Sequence, residues 1–293
     1  MKILLSDSFD ASLPKKLEEF GEVTNDKSQQ STANVVLIRS KTTCDREYID
    51  QAPELQLIIR GGVGLDNVDV EYAKSKGIQV FNTAEASAVA VAELAFALMI
   101  AVPTRIVEGH MGMKEGKWLK KELGRTELLG KTLGMIGVGN IGTEVAKRAK
   151  AFGMTVIAND PQKATHEHAE MVSFEELLTR SDYISINAPL TDTTRNIIRT
   201  ETIARMKDGV ILVNTARGKI VNEVDLTAAL ESGKVRSYAT DVWYSDPPAN
   251  DSPLLTAPNV VMTPHIGASS DENMLRIGDV VVRIIRDFVS HSA

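Results

Sequence analysis

The 293-residue sequence is poor in cysteine, aromatic residues and positive charge. One cysteine, Cys44, can close no internal disulfide, which fits a reducing compartment and points to a cytoplasmic protein. Lysine and arginine total 33 against 39 acidic residues, a net charge of −6, so no overall basic field exists to draw nucleic acid or an anionic membrane. The start, "MKILLSDSFD", has only three consecutive apolar residues, and no secretory signal is expected there. The longest apolar stretch, 88–102, is shorter than the roughly 20 residues of a spanning helix and is interrupted by Glu93, so it reads as a buried helix rather than a membrane segment. Of five histidines, only His166 and His168 stand close together. That pair is too isolated to argue for a metal.

What the sequence does contain is alternation. Short apolar runs at 2–6, 34–40, 55–62 and 78–83 are separated by amphipathic segments at 13–20, 45–52 and 68–76. After the buried helix the pattern restarts, with apolar runs at 132–139, 155–160, 183–189, 210–216, 236–242 and 259–264 and helical segments at 140–152 and 173–180. Ser173 and Glu176 form a capping-box pattern, and Gly153 suits a helix stop. A final amphipathic run covers 271–289. Strands apolar on both faces and separated by helices form parallel sheets covered on both sides. The expectation is an α/β protein of two doubly wound parallel-sheet domains: a Rossmann domain over 97–269, inserted into a flavodoxin-like domain made of 1–96 and a returning helix over 270–293.

In such sheets, ligands bind beyond the carboxyl ends of the strands, so the residues there are the candidates. "GVGNIG", 137–142, follows a strand and opens a helix. Gly137 allows the tight turn, Gly139 lets a pyrophosphate approach the backbone, and Gly142 permits close helix–strand packing. The helix N-terminus then favours phosphate. Asp160 ends the next strand, placed to accept from adenosine ribose hydroxyls and to repel the extra phosphate of NADP, so NAD is the expected cofactor. Later strands end in Ala188-Pro189, Thr215-Ala216-Arg217-Gly218, Asp241, and Pro264-His265 with Gly267. "RGGVGLDNVD", 60–69, places Arg60, Gly62, Val63 and Gly64 in a glycine-rich turn whose amides can hold a substrate carboxylate.

With these residues in hand, the chain resembles the D-isomer-specific 2-hydroxyacid dehydrogenase family over nearly its full length. The motifs that carry the resemblance are "RGGVGLDNVD", "GKTLGMIGVGNIG", "VNTARG", "ATDVW" and "TPHIGAS", in the family's order. The resemblance implies a homodimer with an inserted NAD domain, His265 as acid/base, and Arg217 on the substrate's carbonyl and carboxylate. It also implies cofactor contacts from Thr83, Asn140, Ile141, Asp160, Ala188, Thr215 and Asp241. Pro189, Ala216, His265 and Gly267 line the same cofactor region. The family's third catalytic residue is a glutamate before a proline. The matching position in "DVWYSDPP" is Asp246, a side chain one carbon–carbon bond, about 1.5 Å, shorter.

Reduction of a 2-keto acid creates an alkoxide that needs a proton, and an imidazole can give or take one near neutrality. The expected substrates are small 2-hydroxy or 2-keto acids, with glyoxylate or hydroxypyruvate first. A short form of 3-phosphoglycerate dehydrogenase is the alternative, with Arg60 and Arg39 supplementing phosphate binding. An NAD(H)-sensing, non-catalytic binding protein is the alternative of another class.

Overall fold

The protein is described by a computed structural model covering residues 1–292. It forms two compact units, residues 1–88 together with the chain from 268 onward, and residues 89–267. Sequence placed these divisions at 96/97 and 269/270. The first falls inside a continuous apolar helix, where no change of composition marks it.

In chain order the elements are β1 (Lys2–Leu5), α1 (Leu13–Leu17), β2 (Glu22–Thr24), β3 (Val35–Ile38), α2 (Arg46–Asp50), β4 (Leu57–Arg60), α3 (Val70–Ser75) and β5 (Gln79–Asn82). There follow α4 (Ala84–Thr104), α5 (Ile106–Lys114), β6 (Thr132–Ile136), α6 (Asn140–Ala151), β7 (Thr155–Asn159), β8 (Glu170–Met171), α7 (Phe174–Arg180) and β9 (Tyr183–Ile186). The chain continues through α8 (Thr200–Arg205), β10 (Val210–Asn214), α9 (Glu223–Glu231), β11 (Val235–Thr240), β12 (Val260–Met262) and α10 (Asp271–Ser292).

The first unit's sheet is wholly parallel with order β2-β1-β3-β4-β5, the flavodoxin-like order. Its core follows the strand period of two. Ile3, Leu5, Val35, Leu37, Leu57 and Ile59 share one face with Ile277, Val281 and Ile285 of α10, while Leu4, Val36, Ile38 and Ile58 share the other with Ile49 and Ala73. Both faces are apolar because helices cover both, as parallel sheets require.

The second unit has the order β12-β11-β10-β9-β6-β7-β8, which counted from its own first strand is the Rossmann order 3-2-1-4-5-6 with one further strand. Ala92, Ala95 and Met99 of α4 pack with Val145 and Ala149 of α6 against one face. Leu177 of α7, Ile203 of α8 and Leu226 of α9 cover the other. Helix α4 runs 21 residues, longer than the 88–102 stretch suggested, and is by length and composition able to cross a membrane, yet 67% of its most apolar window is buried. It is a core helix: Ala92, Ala95 and Met99 are fully buried. The Ser173–Glu176 capping box forms at the start of α7, and Gly153, with φ +72°, follows α6.

Candidate active site

The strand order changes direction between β6 and β9, and this is where the glycine turn lies. Gly137 has φ +88°, and a Cβ there would sit 2.9 Å from the Ala188 amide nitrogen, so only glycine fits between the two strand ends. A Cβ on Gly142 would lie 2.7 Å from the Gly137 carbonyl, which is the close helix–turn packing expected of that position. Gly139 differs from both. It is the N-cap of the 12-residue α6, no side chain caps it, and a Cβ there would meet nothing within 4 Å. Asn140 and Ile141 open that helix, so their amides belong to the unpaired first turn.

Asp160, one residue past β7, accepts from the Val138 amide at 3.0 Å through Oδ2 and from the Gln162 amide at 2.9 Å through Oδ1. A carboxylate has about four lone-pair sites, so each oxygen keeps capacity for a ribose hydroxyl. Across the turn, Ala188 is buried and Pro189 exposed at the end of β9. Thr215 is the residue after β10, and its Oγ1 is buried with no hydrogen-bond partner. An orphaned buried hydroxyl is costly unless a ligand satisfies it. Together with the open face of Gly139, it fits a dinucleotide laid across the carboxyl ends of these strands.

Register then places Arg217, Asp241 and His265. Asn214 of β10 pairs with Thr240 of β11, and Thr240 pairs with Met262 of β12. Arg217, Asp241 and His265 therefore leave three adjacent strands within three residues of one in-register row, the strands being about 4.8 Å apart. Asn214, which the sequence reading overlooked, is fully buried and braces the first of these turns. Its Oδ1 accepts from the Ala216 amide, and its Nδ2 donates to the Arg217 carbonyl at 3.0 Å and the Tyr238 hydroxyl at 3.1 Å. Arg217 Nη1 donates to the Ala216 carbonyl at 2.7 Å. A side chain on Gly218 would run into the backbone of Trp243, so this turn packs directly on the loop that carries Asp246.

His265 has φ +54°, the left-handed conformation that non-glycine residues rarely adopt. Asp241 holds it there. Its carboxylate, 2% exposed, accepts from Thr263 Oγ1 at 2.6 Å, from the Ile266 amide at 2.9 Å and from the Gly267 amide at 2.8 Å. The resemblance implied a nicotinamide contact for Asp241, and its most evident work in the structure is anchoring the histidine turn. His265 Nδ1 and Asp246 Oδ2 share a hydrogen bond. The shorter carboxylate thus reaches the imidazole, and Nε2 is left for another partner.

In the first unit, the 60–64 turn is less open than its sequence suggests. The Gly61 amide donates to the Ile38 carbonyl and the Gly62 amide to the Arg60 carbonyl. Among the described residues, only the Val63 and Gly64 amides of that turn make no such bond. The Arg60 guanidinium lies over Gly62, where a Cβ would collide with it. Arg39 donates to the Gly61 and Ala268 carbonyls, so it braces the turn instead of facing a phosphate. Thr83 is fully buried with an unpartnered Oγ1, and its amide donates to the Gly62 carbonyl at 3.0 Å. His166 and His168 are engaged locally with Thr143 and Glu167, and among the described residues no cluster of three metal-ligating side chains occurs. A separate recess of about 180 Å³, lined by Lys131, Asp182, Tyr183 and Arg236, lies at the opposite, amino-terminal ends of the second unit's strands.

Fold, glycine turn and the His265–Asp246 pair fit a dinucleotide-dependent oxidoreductase. The sequence profile described as "D-isomer specific 2-hydroxyacid dehydrogenase, NAD binding domain" matches residues 96–267. A hydroxypyruvate reductase of Thermotoga maritima is 50% identical over 258 residues, 87% of this chain and 84% of that protein. A D-3-phosphoglycerate dehydrogenase of Methanocaldococcus jannaschii is 44% identical over 300 residues, 98% of this chain but only 57% of that longer protein. A glyoxylate reductase structure from Paecilomyes thermophila superposes with a TM-score of 0.89 at 33% identity, covering 98% of this chain and 94% of that one. The chain belongs to the D-isomer-specific 2-hydroxyacid dehydrogenase family and is an NAD-dependent oxidoreductase of small 2-hydroxy or 2-keto acids.

Proposed function

We propose that the protein reduces glyoxylate or hydroxypyruvate to glycolate or D-glycerate with NADH, using His265, Asp246 and Arg217. The observation that carries this reading is the His265 Nδ1–Asp246 Oδ2 hydrogen bond, which fixes the imidazole and frees Nε2 to serve the substrate. The bound cofactor supplies the hydride. His265 Nε2 gives its proton to the substrate oxygen as negative charge develops there, a contribution of ~10²–10⁴ in rate. Asp246 keeps the ring oriented and stabilises the charged imidazolium. Arg217 polarises the carbonyl and clamps the carboxylate through its planar fork. Gly139, Asn140 and Ile141 receive the pyrophosphate at the head of α6, Asp160 the adenosine ribose, and Thr215 a further cofactor hydroxyl or amide.

A second reading, 3-phosphoglycerate oxidation, is in line with the Methanocaldococcus relative. Against it, Arg39 already bonds two carbonyls. Purified protein should oxidise NADH with glyoxylate or hydroxypyruvate faster than with 3-phosphohydroxypyruvate, and NADPH should replace NADH poorly. Preference for the phosphorylated acid would transfer the assignment to the second reading. Tight NADH binding without turnover on any of the three would leave a cofactor-sensing protein.

The proposal extends to a cytoplasmic homodimer. Ile106 and Met113 of α5, with Trp118 and Leu129 beyond it, are 59–73% exposed, large apolar side chains that a second copy would cover. Light scattering giving a monomer would remove this part of the reading.

A further inference from the structure

The glycine turn is held from outside by a residue that the motif does not contain. Lys163, in the loop after β7, donates its Nζ to the Val138 carbonyl at 2.8 Å. From the other side of the same residue, the Val138 amide donates to Asp160 at 3.0 Å. Val138 is fully buried between Gly137 and Gly139, and both of its backbone polar groups are therefore claimed by the 160–163 segment. A third tie lies one turn along α6. Thr143 Oγ1 gives its hydrogen to the Gly139 carbonyl at 2.9 Å, so it accepts from His166 Nε2 at 3.0 Å, while His166 Nδ1 accepts from the His168 amide at 3.2 Å.

The consequence follows from peptide geometry. In a trans peptide the carbonyl of one residue and the N–H of the next point in opposite directions. Fixing the Val138 carbonyl on Lys163 thus fixes the Gly139 N–H on the far side of that plane. Glycine at 139 offers no steric resistance to rotation of this peptide, since its φ is unrestricted. Without an external hold, the plane can turn over and present a carbonyl oxygen where an amide hydrogen is needed. A cation on the carbonyl also polarises the peptide, which strengthens the N–H as a donor.

We propose that Lys163 is a positioning residue for cofactor binding: by holding the Val138–Gly139 peptide plane it aims the Gly139 amide at the cofactor pyrophosphate. This rests on the cofactor placement given above. Lys163 is exposed, so its loss should not unfold the protein.

The test compares wild type, Lys163→Met and Lys163→Arg. For Lys163→Met, the NADH dissociation constant read by fluorescence should rise about tenfold, the size expected for one charge-assisted hydrogen bond acting through a peptide. Turnover at saturating NADH and the KM for the keto acid should stay within about twofold, and Lys163→Arg, which keeps a cationic donor, should recover most of the loss. Two ligand fragments separate indirect from direct action. ADP, which carries the pyrophosphate, should bind Lys163→Met more weakly, whereas adenosine should bind it as it binds wild type. Equal weakening of adenosine would overturn the proposal and make Lys163 a direct ribose contact. Unchanged NADH binding by Lys163→Met would overturn it outright, while failure of wild type to bind NADH would instead sink the cofactor placement.

Discussion

Replacing Asp241 with asparagine probes how the turn that carries His265 is held. The carboxylate is buried and accepts three hydrogen bonds, from Thr263 Oγ1, Ile266 N and Gly267 N. Hydrogen bonds to a charged acceptor contribute about 1.5–3 kcal/mol each, and a buried amide left without its acceptor costs about 1–3 kcal/mol. Opposing them is the left-handed backbone of His265, which costs roughly 1–2 kcal/mol for a residue with a side chain. Asparagine keeps one acceptor oxygen but turns an NH₂ group toward at least one of the three donors. The net loss should be about 2–4 kcal/mol, enough for the left-handed turn to relax. An imidazole displaced by about 1 Å loses on the order of 10²-fold in rate. Urea unfolding should register the stability loss, and steady-state NADH oxidation with hydroxypyruvate should show turnover falling about a hundredfold. Full turnover in a destabilised variant would show that Asp241 supports the fold without placing His265. No change in either quantity would refute the reasoning altogether.

Other substitutions test separate parts of the account. Thr215→Val removes a buried hydroxyl with no partner, so melting should show stability gained by about 1 kcal/mol while NADH affinity falls; a loss of stability would mean the hydroxyl is already satisfied. Gly218→Ala forces a Cβ into the Trp243 backbone and should destabilise by about 2–3 kcal/mol in thermal unfolding, a normal melt being the contrary result. Asp246→Asn retains the shape but not the charge beside His265 and should lower turnover about 10–10²-fold; unchanged turnover would mean that another group orients the imidazole.

Much of the fold was legible because both sheets are parallel and buried, so their strands stand out as apolar runs between helices. The strands that escaped were β2 and β8, three and two residues long at sheet edges, too short to carry a pattern. GVGNIG could be picked out because a strand end followed by glycines is a local signal, whereas roles for Arg217 and His265 came from the family resemblance and not from their position at strand ends. Asn214, Lys163 and the anchoring of His265 by Asp241 could not be read that way. Each joins segments that are brought together only when the sheet forms, as in the hydrogen bond between Asn214 and Tyr238, 24 residues apart. The glycine turn at 60–64 failed in the opposite direction. Its sequence promises a row of free amides, but whether an amide is free depends on the neighbouring strand, and Ile38 takes the one from Gly61.

In the proposed reaction His265 moves the proton while other residues hold the cofactor. This division is tested most directly by comparing NADH oxidation and NADH binding in wild type and His265→Ala with hydroxypyruvate as substrate. The expected outcome is a loss of ~10²–10⁴ in turnover with NADH affinity unchanged. Turnover retained in His265→Ala would contradict it.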